Sequence, residues 1–305
     1  MTPTVHLGVN TCFAVKRWPE PARWAELVAG TLGLDECQLT LDLLDPALEG
    51  RFGVAYAESV RRAAADAKVA VHSVFTGLGA YATNLLLHPD AGLREAATGW
   101  FERAIDVAAA AGSPGVGGYL GALSAVDAAD ADRRRALLGE LAERLHRLAD
   151  RAAASGLEFL LMENMSVRRE LGSVIEEAHL LEAMTAGSAV PWVLCLDVGH
   201  PCALASGTAS DDPLAWLAEQ WRHPPVLQLQ QANADGDHHW PFTAETNAVG
   251  SVDAAAVASA LDDVAAEELH LFLEVVHRPE VDDAVVLADL RASVDHWRQT
   301  LSKER

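Results

Sequence analysis

The sequence predicts an α/β protein, a single (β/α)8 TIM barrel spanning residues 1–305. Two observations carry that reading. Strand-like and helix-like runs alternate from one end of the chain to the other, eight of each, as parallel strands joined by crossover helices require. No domain-scale linker interrupts them. There is also no Gly-x-Gly-x-x-Gly after the first strand and no Gly-x-x-x-x-Gly-Lys-Ser/Thr, so the rival, an open doubly wound sheet, lacks its phosphate-binding signatures. The length suits a barrel with a few extended loops.

The elements follow in order. Val5–Asn10 reads as strand one, and helical Ala22–Leu32 follows a loop rich in Trp and Pro. Leu34–Leu39 is strand two, ending near Gln38, and the next helix runs from Val54 to Ala67. Lys68–Phe75 is strand three, with His72 near its end, and a glycine-rich loop, Thr76–Tyr81, precedes a long helix, Pro89–Ala111. Ser113–Tyr119 is the weakest strand, because Pro114, Gly115, Gly117 and Gly118 disfavour regular pairing. It is kept as strand four because the helical run Val126–Ser155 follows, closed by Gly156 as a C′ residue. Leu157–Met162 is strand five, ending on Glu163, and helix six covers Leu171–Thr185. Val193–Asp197 is strand six, buried on both faces, with a turn at Gly199-His200-Pro201. Helix Asp211–Trp221, strand seven Val226–Gln231, helix Val252–Ala266, strand eight Leu269–Val275 and helix Asp282–Leu301 complete the chain.

Composition narrows the function. A formal net charge of −21 opposes a phosphate backbone, which excludes nucleic acid as a partner. No apolar run approaches the roughly 20 residues of a membrane helix, and no basic-then-apolar leader precedes strand one. Cys12, Cys37, Cys195 and Cys202 lack paired motif spacing and read as reduced thiols. A cytoplasmic protein without a membrane partner is expected. Lys16, Lys68 and Lys303 are the only lysines, and none ends a buried strand in the second half, which argues against Schiff-base chemistry.

The last residues of the later strands carry the chemistry. Strand five ends in Glu163, strand six in Asp197 and strand eight in Glu274, while strand seven bears Gln228 and Gln230 at alternate positions. In a barrel all these ends share one face, where active sites form. Each carboxylate taken singly reads equally well as a helix cap. Three in one mouth repel unless a cation is present or some are protonated. Oxygen-rich ligation points to Mn2+ first, with Mg2+ or Co2+ as alternatives.

On Met162-Glu163-Asn164, Leu196-Asp197-Val198-Gly199-His200, Gln228-Leu229-Gln230-Gln231 and Leu273-Glu274, the chain resembles the xylose isomerase-like barrels, a family of sugar isomerases and epimerases that extends to endonuclease IV-type enzymes. The resemblance implies a divalent metal held by Glu163, Asp197, a strand-seven residue and Glu274. Where the family has His, this chain has Gln228, a weaker donor for a transition metal. It also implies that His200 contacts substrate. Two histidines, His238 and His239, lie close behind strand seven, and one of them is expected to reach back to metal or substrate, with His239 the candidate substrate contact. His72 and Gln230 are expected to contact the sugar, and Arg278 either holds an anionic group or pairs with Glu280. Trp18 and Trp240 are candidates to stack on a sugar ring.

The expected chemistry is proton transfer next to a sugar carbonyl through a metal-stabilised enediolate, with Glu163 and Glu274 as the catalytic pair. The rivals are a metal-dependent lyase or hydrolase of the same barrel, such as a C-glycoside deglycosidase, and a non-catalytic sugar-binding barrel. The partner is a small carbohydrate; a homo-oligomer is a family expectation.

Overall fold

In the computed structural model, residues 2–48 and 50–303 are described. Their strands are β1 (Thr4–Asn10), β2 (Glu36–Thr40), β3 (Ala70–Phe75), β4 (Gly115–Gly118), β5 (Phe159–Glu163), β6 (Trp192–Asp197), β7 (Val226–Leu229), β8 (Gln231–Asn233), β9 (Gly236–Trp240) and β10 (Glu268–Leu273). Eight of them close into a parallel barrel in the order β1-β10-β7-β6-β5-β4-β3-β2, and β8 and β9 form a separate antiparallel hairpin. The helices are α1 (Pro21–Glu26), α2 (Gly50–Ala67), α3 (Ala91–Ala111), α4 (Ala125–Ala129), α5 (Ala131–Ala154), α6 (Ile175–Met184), α7 (Gly199–Leu204), α8 (Pro213–Ala218), α9 (Ala244–Asn247), α10 (Ala254–Ala260) and α11 (Asp283–Lys303).

The chain groups into two compact units. The first holds the chain up to Gln38, Ala63–Ala70 and the chain from Cys195 onward; the second holds Leu39–Arg62 and Val71–Leu194. In the first, β1 pairs with β10 from Thr4↔Glu268 to Val9↔Leu273 and with β2 at Asn10↔Gln38. There too, β10 pairs with β7 at Phe272↔Gln228, and β7 with β6 at Asp197↔Gln228. Trp24 in α1, Trp216 in α8 and Trp297 in α11 are fully buried packing residues of this unit.

The second unit explains the glycine strand. A Cβ on Gly115 would sit 2.1 Å from the Phe159 ring, and one on Gly117 would sit 2.1 Å from the Leu161 carbonyl oxygen. Strand β4 therefore fits beside β5 because it has no side chains at these two positions, where the Phe159 ring and the Leu161 backbone lie.

Three local differences from the sequence expectation have physical causes. The run Val126–Ser155 breaks at Asp130, whose carboxylate caps α5 by accepting from the Asp132 and Arg133 amides. The turn expected at Gly199-His200-Pro201 is the first turn of α7. Proline is tolerated there because the first amides of a helix have no intrahelical acceptor. The polar stretch after strand seven is the hairpin β8–β9, with pairs Gln231↔Trp240 and Asn233↔Gly236. Among the described residues the four cysteines form no disulfide. Among the described residues no helix is long and apolar enough to cross a membrane.

Candidate active site

In the first unit the strand ends build a buried polar layer. Asn10, the last residue of β1, donates through Nδ2 to Gln38 Oε1 at 2.9 Å and to Glu274 Oε1 at 3.1 Å. Gln228 donates through Nε2 to the same Gln38 oxygen at 2.8 Å. These bonds leave Glu274 Oε2 and Gln228 Oε1 buried without a hydrogen-bond partner. Such groups are costly to bury, so leftover acceptors mark a place where something else binds.

Asp197 serves two purposes. Its Oδ1 accepts from the Gly199 and His200 amides at 2.7 and 3.2 Å, which organises the start of α7. Its Oδ2 accepts from Gln230 Nε2 at 3.1 Å. The helix-cap and ligand readings of this residue are therefore compatible.

The hairpin completes the cluster. Asp237, whose side chain is one-quarter exposed, lies 3.1 Å from His200 Nε2 and 3.4 Å from His239 Nε2 through one oxygen, Oδ2. Its Oδ1 accepts from Gln230 Nε2 at 2.6 Å. His239 Nδ1 faces Glu274, 3.8 Å from Oε2. Asp197, His239 and Glu274 each offer one donor atom within 4.8 Å of the others, and so do His200, Asp237 and His239.

The charges in this cluster perturb one another. Burial, reinforced by Asp197, pushes the Glu274 carboxyl up to about 8 against the pull of His239 and His200. Burial disfavours the His239 cation, but Asp237, then Glu274 and Asp197, reverse the balance and lift the imidazole to about 9. Burial would also raise Asp237, yet the His200 and His239 rings hold it well below the usual carboxylate range.

In the second unit, Glu163 ends β5 and is 2% exposed. Tyr81 donates its hydroxyl to Glu163 Oε2 at 2.5 Å. The glycine-rich loop that carries Tyr81 is pinned by Asp42, whose carboxylate accepts from the Leu78 and Gly79 amides at 2.8 and 2.7 Å.

Two residues expected to contact substrate have protein partners of their own. Gln230 is a brace: its amide nitrogen is spent on Asp197 and Asp237, and its oxygen accepts from the His239 amide at 2.6 Å. A Cβ on Gly199 would lie 2.6 Å from the Gln230 amide carbon, so glycine there admits the brace. His72 sits toward the start of β3 and packs on Phe159, the first residue of β5, with ring centroids 5.5 Å apart. Glu163 is four residues further along β5, roughly 13 Å by strand rise, so His72 belongs to the other end of the strands. Arg278 is exposed after β10, and among the described residues its guanidinium makes no ion pair, with Glu280 or otherwise. Its carbonyl accepts from Arg17 and the Val281 amide. Trp240 stacks on His238, with ring centroids 3.8 Å apart. Asn10, Gln38, Tyr81 and Asp237 escaped sequence reasoning. For Asp237 a signal existed: Asp235-Gly236 is a hairpin dipeptide.

Comparison with known proteins completes the description. The model of one family, the xylose isomerase-like TIM barrel, matches residues 28–300. The chain belongs to that family. It is 29% identical over 295 residues to the D-erythrulose 1-phosphate 3-epimerase of Brucella abortus, covering 95% of this chain and 94% of the relative. A Rhodospirillum rubrum structure described provisionally as a xylose isomerase is 32% identical with a TM-score of 0.90, covering 97% of this chain and 99% of that one. The D-psicose 3-epimerase of Clostridium cellulolyticum shares the fold, with a TM-score of 0.71 at 15% identity over 97% of this chain and 99% of that one.

Proposed function

We propose that this chain is a divalent-metal-dependent sugar epimerase that inverts the carbon next to a ketose carbonyl. One observation supports this reading most: Glu274 is buried with Oε1 held by Asn10 and Oε2 left over. A carboxylate in that state is oriented for work on a guest and is not engaged in packing. The similarity to an epimerase over nearly the whole chain points the same way.

The donor set fits a cation, since Glu274 Oε2 lies buried without a hydrogen bond beside the His239 ring, in one group with Asp197. Glu163, Asp197 and Glu274 would hold it, and Gln228 Oε1 and His239 compete for the remaining position. When bound, the ion supplies Lewis-acid polarisation of the sugar oxygens, with Mn2+ the best match to such a mixed set. The chain's own residues do the rest. Glu274 takes the proton from the carbon beside the carbonyl. Glu163, protonated beforehand, returns one to the opposite face, and solvent then takes the proton from Glu274 and reprotonates Glu163, which closes the cycle. The Tyr81 hydroxyl, bonded to Glu163 Oε2, fixes the orientation of that carboxyl. His200, oriented by Asp237, contacts a sugar hydroxyl. Arg278 holds an anionic substituent, consistent with the phosphorylated substrate of the Brucella relative.

The test is incubation of the Mn2+-loaded protein with D-erythrulose 1-phosphate and a panel of unphosphorylated ketoses in deuterated water. Deuterium at the carbon next to the carbonyl, together with both epimers, is expected for at least one sugar. No exchange with any of them overturns the reading.

A further inference from the structure

We infer that His239, carried by the hairpin, is the nitrogen ligand of the metal in place of a strand-seven side chain, and that Asp237 is its positioning residue. The inference rests on the metal reading above and specifies how this chain satisfies it.

Four independent observations converge. First, His239 lies with Asp197 and Glu274 in one buried group, donor atoms within 4.8 Å of each other. Second, its two ring nitrogens face different partners. Nε2 is turned to Asp237 Oδ2 and Nδ1 to Glu274. A carboxylate behind one imidazole nitrogen fixes the ring's orientation and strengthens the other nitrogen as a donor, the usual support for a metal-binding histidine. Third, the residue is clamped in an unfavoured backbone conformation. Its φ is +49°, its amide donates to Gln230 Oε1 at 2.6 Å, and its carbonyl accepts from the Val276 amide at 3.0 Å. Left-handed backbone at a residue with a side chain costs energy and persists where surrounding contacts enforce it, often at functional sites. Fourth, Gln228 has another occupation. Its amide donates to Gln38 in the polar layer that also holds Asn10, and its remaining donor is a neutral carbonyl oxygen. An imidazole binds a first-row transition ion better than such an oxygen does.

The nitrogen donor is thus carried by the hairpin β8–β9 and not by the barrel strand β7. Gln230 occupies the space between, joining Asp197, Asp237 and the His239 amide into one frame.

Metal binding tests this without reference to turnover. Mn2+ is titrated into the metal-free protein and free ion is followed by electron paramagnetic resonance; Co2+ is followed by its visible spectrum. His239→Gly is the decisive variant, because glycine accepts a φ of +49° without strain and only the ring is lost. It should weaken Mn2+ binding by about 100-fold or more, and Asp237→Asn by about 10–100-fold, as loss of a supporting carboxylate does. Gln228→Leu should leave the affinity in place. Added imidazole should restore the Co2+ spectrum of His239→Gly. Should that variant fail to fold by circular dichroism, His239→Asn, which also tolerates left-handed backbone, takes its place. Wild-type affinity in His239→Gly, or its loss in Gln228→Leu alone, overturns the inference while leaving the metal reading standing. A wild-type protein that binds neither Mn2+ nor Co2+ overturns both.

Discussion

Two clusters of histidine and carboxylate occupy opposite ends of the same strands in the first unit. At the starting end, His6 and His270 are register partners whose rings stack at 4.8 Å. His270 Nδ1 lies 3.0 Å from Glu36 Oε2, and His6 lies 3.8 Å from Glu268. Each imidazole faces a different carboxylate, although His6 Nε2 makes no hydrogen bond. About 13 Å further along, by strand rise, lies the other cluster. There one carboxylate, Asp237, serves both His200 and His239, and His239 also faces a second, Glu274. Among the described residues, three metal-donor side chains come within 4.8 Å of one another at this end and not at the other. Residue type alone does not separate a structural cluster from a functional one. The separation lies in how donors and acceptors are apportioned.

The largest effect should come from Glu274→Gln, which preserves shape and the Asn10 bond but removes the proposed base. Turnover should fall by about 10³-fold or more while the circular dichroism spectrum is unchanged. Near-normal turnover would put Glu274 in the same structural class as Glu36.

A second effect distinguishes the clusters by pH. The Glu274 carboxyl, lifted to about 8, contributes stability that is complete below its ordinary value near 4.5 and lost as pH rises through 8. His239, lifted to about 9, contributes stability complete below about 6.5 and lost as pH rises through 9. Asp237, held low, stays ionised throughout this window. The metal-free protein should therefore lose on the order of 5 °C in Tm between pH 6.5 and 9. Saturating Mn2+ should shrink that loss, because the ion favours ionised Glu274 and neutral His239. Differential scanning calorimetry with and without Mn2+ measures both.

Removing the starting-end partner should do less and do it differently. His270→Ala leaves buried Glu36 without its imidazole and should cost about 1–3 kcal/mol of stability with kcat unchanged. A fall in kcat would erase the distinction between the two ends. The smallest effect is expected from Arg278→Ala. It should raise KM for a phosphorylated ketose and leave an unphosphorylated one unaffected, by steady-state kinetics on the matched pair.

Most of the barrel was legible because its strands follow simple rules. Apolar runs that stop on Glu163, Asp197 or Glu274 announce a buried strand with a charge at its rim. Strand β4 was readable only from its place in the alternation, since Gly115–Gly118 carries no side-chain pattern. The site was half legible. Single strand-end residues could be named, but the bonds that sort them could not. Gln228 and Gln230 look equivalent in sequence and share a face of the chain, yet one lies on Gln38 and the other braces Asp197 and Asp237. The hairpin was missed because Gly236-Asp237-His238-His239-Trp240 alternates no apolar face. Its Asp-Gly dipeptide was the available clue.

The hydrogen bond from Asn10 to Glu274 joins residues 264 positions apart. It forms only when the first and last strands zip together, a step that carries nearly the whole chain's loop-closure entropy and is slow in folding. A nascent or partly folded chain can build the hairpin early, since Gln231 and Trp240 are close in sequence, but Glu274 stays unoriented until β1 meets β10. Activity is thus a late reporter of refolding and should recover with barrel closure, after most helical signal has returned.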